Sequence, residues 1–137
     1  MRRRELLGHL RLALAGVLAL GAACSRDGGL AAPSAQEIES TLVKAYTAQY
    51  TSEHEKAIWG ALSARVTVSE IRVGETMMKQ VASGALAQAV RPVRAKVVSA
   101  VQYRSGPKQF VFGDAPDQVF FFYKDGFGEW TFKTGAM

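Results

Sequence analysis

The residue types that could do chemistry are few and scattered. Cysteine occurs once, as Cys24, and histidine twice, as His9 and His54. His54 stands among Glu53, Glu55 and Lys56, a setting that reads as a solvated helical face. A metal site needs three or four convergent ligands, and no Cys/His cluster supplies them. A serine nucleophile lacks its Gly-x-Ser-x-Gly elbow, and neither a Walker nor a dinucleotide-type glycine pattern is present. Asp114, Asp117 and Asp125 fall in turn-forming stretches without the regular spacing of a calcium loop. Glu70 and Glu75 flank a strand end, and a solvated pair explains them better than paired-carboxylate catalysis. The expectation is a domain without catalytic machinery, metal or cofactor.

The strongest binding lead is aromatic. Phe120, Phe121 and Phe122 are consecutive, with Tyr123, Phe127, Trp130 and Phe132 close behind. A strand points successive side chains to opposite faces, so such a run sends aromatic rings both ways. One face can fill a core. The other needs a helix, a loop or a partner over it. Phe120, Phe122, Tyr103 and Trp130 are therefore the candidate binding surface, with complete burial as the plainer alternative.

Cys24 belongs to a different pattern. Met1-Arg2-Arg3-Arg4 is followed by an apolar run from Leu12 to Leu20, then by the small residues Gly21-Ala22-Ala23. Basic, apolar and small segments in that order read as an export signal over residues 1–23. The apolar run is well short of the roughly 20 residues that span a bilayer. An unpaired cysteine in an exported chain calls for an explanation. The leader also distorts the net charge of +5: it holds four of 17 basic and one of 12 acidic residues, leaving 13 and 11 beyond it. That near balance removes the case for nucleic-acid binding. Arg91, Arg94 and Lys96, the one local basic cluster, read as a solvated strand face.

Leu20-Gly21-Ala22-Ala23-Cys24 resembles the lipobox of bacterial lipoproteins. The resemblance implies cleavage after Ala23, acylation of the Cys24 thiol and anchoring to the membrane. Two or three acyl chains hold firmly where one holds marginally. Ser25 after the cysteine resembles the outer-membrane sorting class, so the expected location is the envelope, on the outer membrane and facing the periplasm. Arg3-Arg4-Glu5-Leu6-Leu7 partly resembles a twin-arginine motif, which leaves the export route open between that system and the general one.

Beyond the leader, residues 24–35 read as the lipidated cysteine and a Gly/Pro/Ser/Ala tether, and 36–137 as one α+β domain. Ser34 and Glu37 form a capping-box pattern. Ile38, Leu42, Ala45, Tyr46 and Gln49 then recur near one helical face. Ser52 and Glu55 repeat the cap, which predicts a second helix from Glu53 to about Ser63 with Ala57, Ile58, Ala61 and Leu62 buried and Trp59 at the edge. One long helix kinked near Thr51 is the alternative. Val66 and Val68, then Ile71 and Val73, alternate in opposite phases, which a bulge near Ser69-Glu70 reconciles. Residues 75–90 read as a loop with a weak strand. From Pro92 to Arg104, Val93, Ala95, Val97, Ser99, Val101 and Tyr103 share one face. Lys108–Phe112, Gln118–Lys124 and Gly128–Lys133 read as further strands, the last two joined at Asp125-Gly126.

Helices followed by antiparallel strands define an α+β fold: one or two helices on a curved antiparallel sheet of about four strands. The element order resembles NTF2-like and cystatin-like domains. Small outer-membrane assembly lipoproteins, with two helices and a three-stranded sheet, are a competing likeness, but their glycine-methionine-threonine signature is absent. Two functions follow as expectations. The first is a non-catalytic envelope lipoprotein that binds a protein partner. The second is an NTF2-like small-ligand domain or enzyme with Tyr103 and Trp130 beside an apolar pocket.

The leader reading makes a direct prediction. The wild-type precursor should fractionate with membranes at a mass that reflects loss of residues 1–23 and gain of lipid. Cys24→Ser should abolish both. Soluble or unprocessed wild-type protein would remove the anchor.

Overall fold

The computed structural model describes residues 30–137, in which Ala32–Met137 forms a compact unit. Cys24 and Ala23 lie outside the described residues. Helix α1 (Ala35–Tyr50) starts where its cap requires: Ser34 accepts from the Glu37 N–H at 3.1 Å and Glu37 accepts from the Ser34 N–H at 3.0 Å. Ile38, Leu42 and Tyr46 form its buried stripe. The expected tether ends early, because Pro33 is already buried.

The expected second helix starts at Glu53 but stops at Trp59, short of Ser63: residues 53–54 are α-helical, a π-helical turn spans Glu55–Trp59, and strand β1 (Ala61–Val73) follows Gly60. The Glu55 N–H does bond to Ser52 Oγ at 3.2 Å, so the cap forms in part. Gly60 then adopts φ +70°, which ends the turn. Ala61 and Ser63 pair with Tyr103 and Gln102, so ladder bonds displace helical ones. Ala57, Ile58 and Leu62 consequently point to solvent, and of the expected buried set only Ala61 is covered.

Among the described residues the sheet is antiparallel and open, with six strands rather than about four. Besides β1, these are β2 (Met77–Lys79), β3 (Gln88–Tyr103), β4 (Gly106–Phe112), β5 (Val119–Lys124) and β6 (Trp130–Gly135). Strand β3 is the spine, and β1, β2, β4 and β5 all pair with it. Residues 97–103 of β3 pair with both β1 and β4, and Val93 pairs with both β1 and β5. Strands β4 and β5 therefore share the edge opposite β1, one along each half of β3, and β6 flanks β5. The expected bulge is present: Ser69 pairs with Lys96 and Arg72 with Arg94, and Glu70 takes φ +56°.

Transfer from β4 to β5 depends on one glycine. At Gly113 φ is +89°, and a Cβ there would lie 1.7 Å from the Ala95 carbonyl oxygen. The backbone thus runs along the edge of β3 in contact with Ala95 before the loop closes through Gly113 N–H to Gln118 Oε1 at 2.7 Å. The hairpin after β5 is likewise longer than the Asp125-Gly126 signal implies. Its five residues are held by Asp125 Oδ1, which accepts from the N–H groups of Phe127 (2.8 Å) and Glu129 (3.0 Å), and Gly128 rather than Gly126 takes the positive φ.

The alternation along β3 holds as expected, with Val93, Ala95, Val97, Ser99, Val101 and Tyr103 all buried. Phe120 and Phe122 face α1, where Phe120 meets Tyr46 edge-on at 6.3 Å. Phe121 and Val119 point to the opposite face, packed with Val81 and Val90. The segment after β2 covers this second face: Lys79 Nζ lies 4.4 Å from the Phe121 ring centre, and Lys133 Nζ donates to the Val81 carbonyl at 2.9 Å.

Gly113→Ala should cost about 3 kcal/mol or more, since any side chain there adds a backbone clash to a left-handed conformation. Urea unfolding would measure it. A loss under 1 kcal/mol would mean that the close approach at Gly113 can open without harm to the sheet.

Candidate functional site

Sequence reasoning groups Phe120, Phe122, Tyr103 and Trp130 as one surface. The structure separates them. Phe120 and Phe122 are fully buried beneath α1 and offer no surface. They lie on the core-facing side of β5, where α1 supplies the required cover. Trp130 lines a groove between α1 and the β5–β6 hairpin, with Lys124 Nζ 4.6 Å from its ring centre. Tyr103 lines a different recess at the far end of β3.

That recess, of about 300 Å³, is built from four aromatic side chains and a carboxylate. Tyr50 comes from the last residue of α1, Glu55 and Trp59 from the π-helical turn, Tyr103 from the end of β3, and Lys108 and Phe110 from β4. Local structure places each one. The helical period ends at Tyr50, and Thr51 closes α1 by returning its N–H to the Thr47 carbonyl. The extra residue of a π-turn, a feature frequent at functional sites, carries Trp59 outward. Gly60 then fastens this turn to the sheet, its carbonyl accepting from the Arg104 N–H at 3.0 Å. The tight β3–β4 connection, with Tyr103 paired to Gly106, brings Lys108 and Phe110 back beside Tyr103.

The rings are differently exposed. Tyr50 and Phe110 stack in parallel, 4.9 Å between centres and 8° between planes. Tyr103 is buried, whereas Trp59 is 62% exposed and Phe110 37% exposed. Lys108 Nζ lies 5.9 Å from the Tyr103 ring centre. Burial raises the Tyr103 hydroxyl above its ordinary value of 10, helped by the negative charge of Glu55 and by hydrogen bonding to it. Tyr50 is raised by burial first, then by Tyr103 and Glu55. An aromatic recess with one acidic edge can hold a ligand by ring faces and charge.

A second opening, of about 810 Å³, lies beneath the C-terminal half of α1 between the edges of β4 and β6. Tyr46, Phe112 and Phe132 line it with Ser99 and Gln49. The other polar residues singled out in the sequence do not converge on either space. His54, Glu70 and Glu75 are exposed. Arg94 donates to the Pro116 carbonyl and Arg91 to that of Gly74 at 3.2 Å, so part of the basic cluster ties loops to the sheet. Among the described residues no three His, Cys, Asp or Glu side chains come together as a metal site, and no helix is long and apolar enough to cross a membrane.

Sequence reasoning anticipated Tyr103 but not Tyr50, Glu55 or Phe110, and it placed Trp59 at a helix edge. The available signal was weak: Trp59 stands directly before a glycine in a polar stretch, where a glycine stop would leave it exposed. Family models, curated proteins and solved structures were each compared with the chain, and none matches.

The tyrosines make the domain sensitive to alkali. Burial pushes Tyr46 up to about 12, and Tyr50 and Tyr103 are also raised. All three stay protonated in the folded state where an unfolded chain ionises near 10. Their stabilisation is complete below pH 10 and is lost as pH climbs toward 12. For Tyr46 this amounts to on the order of 2–3 kcal/mol. Urea midpoints should fall between pH 9.5 and 11 (roughly spanning the onset of that window). Absorbance at about 295 nm, where tyrosinate absorbs, should show fewer than the full four tyrosines ionising before unfolding. A flat midpoint, with all four ionising near 10, would contradict the burial.

Proposed function

We propose that this chain is a lipid-anchored protein of the bacterial envelope, held by acyl groups on Cys24, whose folded domain is a non-catalytic module that docks a protein partner. The single observation that carries the docking part is the contrast between the two ends of the aromatic system. Beneath α1, Phe120 and Phe122 are fully buried, whereas Trp59 and Phe110 stand open at the end of the domain, with Ile58 and Leu62 also exposed nearby in the chain. Exposed aromatic and aliphatic side chains around a partly filled recess are the composition of an interface core. The anchor is supported by the basic, apolar and small segments ending at Cys24, and the periplasmic, outer-membrane side by Ser25.

The opening between β4 and β6 favours a second reading, a small-ligand domain. Its volume and its mixed lining, aromatic rings beside Gln49, Ser99 and Gln109, suit an organic molecule. An NTF2-like or cystatin-like kinship belongs to this reading and rests on element order alone. Tyr103 and Trp130 would not act together in it, since they line separate spaces.

A photo-crosslinking residue at position 59, compared with one at the exposed Thr67 of β1, tests the docking reading in intact envelopes. Position 59 should give a discrete adduct that Phe110→Ala diminishes and position 67 lacks. The absence of any adduct at 59, or the same adducts at both positions, would reject docking at this end and leave the small-ligand reading.

A further inference from the structure

The recess formed by Tyr50, Glu55, Trp59, Tyr103 and Phe110 carries its charge in an unusual way. Glu55 lines the recess with the two tyrosines, which are raised above their ordinary value by burial first and in lesser part by the charge of Glu55. Among the described residues, no lysine or arginine is found ion-paired with it; the ion pair found in that segment joins Lys56 to Glu53 at 3.6 Å. The recess holds one carboxylate, Glu55, and one ammonium, Lys108, with no ion pair between them, so the carboxylate and the ring faces are left to act on a cation. Ring faces carry the negative side of the aromatic quadrupole, and they bind ammonium and guanidinium groups within about 6 Å of their centres. The structure already displays such a contact. Lys108 Nζ, on an exposed side chain, lies 5.9 Å from the Tyr103 ring centre without an ion pair to Glu55.

From this geometry we infer that the recess is a receptor for an organic cation, namely a lysine or arginine side chain presented by the docking partner. The aliphatic stem lies against Trp59 and Phe110, and the charged head lies between the Tyr103 ring and the Glu55 carboxylate. Lys108 is then the resident competitor, which swings out when the partner's side chain enters. This deepens the docking reading and rests on it for the source of the cation. The chemistry of the recess itself does not depend on the partner.

The two halves separate by experiment. The probes are Nα-acetyl-lysine methylamide and tetramethylammonium, with the norleucine analogue and acetate as controls. The readout is the indole N–H resonances of the full-length protein. The chain has two tryptophans, and Trp130 lies in a different groove, so its resonance is an internal reference. Both cations should shift the Trp59 resonance saturably at about millimolar concentration, leaving Trp130 in place, as expected for a contact of this strength. Glu55→Gln should weaken this about three- to fivefold, and Lys108→Ala should strengthen it by about twofold. An equal response to the norleucine analogue, or no effect of Glu55→Gln, would overturn the cation assignment and leave only an apolar recess. A cation response without any adduct at position 59 in envelopes would keep the site and reject the protein partner. An adduct at position 59 without a cation response would do the reverse.

Discussion

Three consecutive phenylalanines in β5 cannot share a face, because a strand sends alternate side chains to opposite sides. The rest of the domain is organised by that constraint. Phe120 and Phe122 point to one side, where α1 lies across them and Tyr46 meets Phe120, Phe112 and Phe132 at centre distances of 6.2–6.3 Å. Phe121 points to the other side. Among the described residues the segment between β2 and β3 covers that side, with Val81 as its apolar plug and Lys79 and Lys133 binding it down. Burying a phenylalanine removes a large apolar surface from water, so both covers are needed for β5 to be stable.

The same constraint explains the shape of the sheet. Strand β5 pairs with β3 only over residues 91–93, because β4 occupies the same edge over residues 97–103. The chain passes from one half of that edge to the other at Gly113, where the backbone touches the Ala95 carbonyl. Strand β6 then extends the sheet beside β5 and leaves the outer edge of β4 facing the opening under α1. The sheet is thus filled near β5 and hollow near β4, and that asymmetry leaves the recess at Trp59 and Phe110 open.

The recess gathers its chemistry from positions far apart in the chain. Tyr50 ends a helix, Trp59 ends a π-turn, and Tyr103 and Phe110 belong to a hairpin. None of these residues carries a recognisable motif. Their meeting depends on Gly60, which stops the turn and bonds through its carbonyl to the backbone of Arg104. Had the helical pattern continued through Ser63, Trp59 would have no reason to stand over Tyr103.

What the sequence by itself determined is local. The Ser34–Glu37 cap, the buried stripe of α1, the alternation of β3 and the phase change that demands a bulge at Ser69-Glu70 all follow from interactions within a few residues, and each is present. Tertiary structure decided what depends on competition between distant segments. Ala61–Ser63 became strand rather than helix because β3 offered backbone partners that the second helix could not match with buried area. Phe120 and Phe122 became core rather than surface because α1 was there to cover them. Glu55 joined an aromatic recess because the β3–β4 hairpin folded back against the end of α1. Backbone propensity is written residue by residue, but burial is a property of two surfaces at once, and the second surface came from elsewhere in the chain.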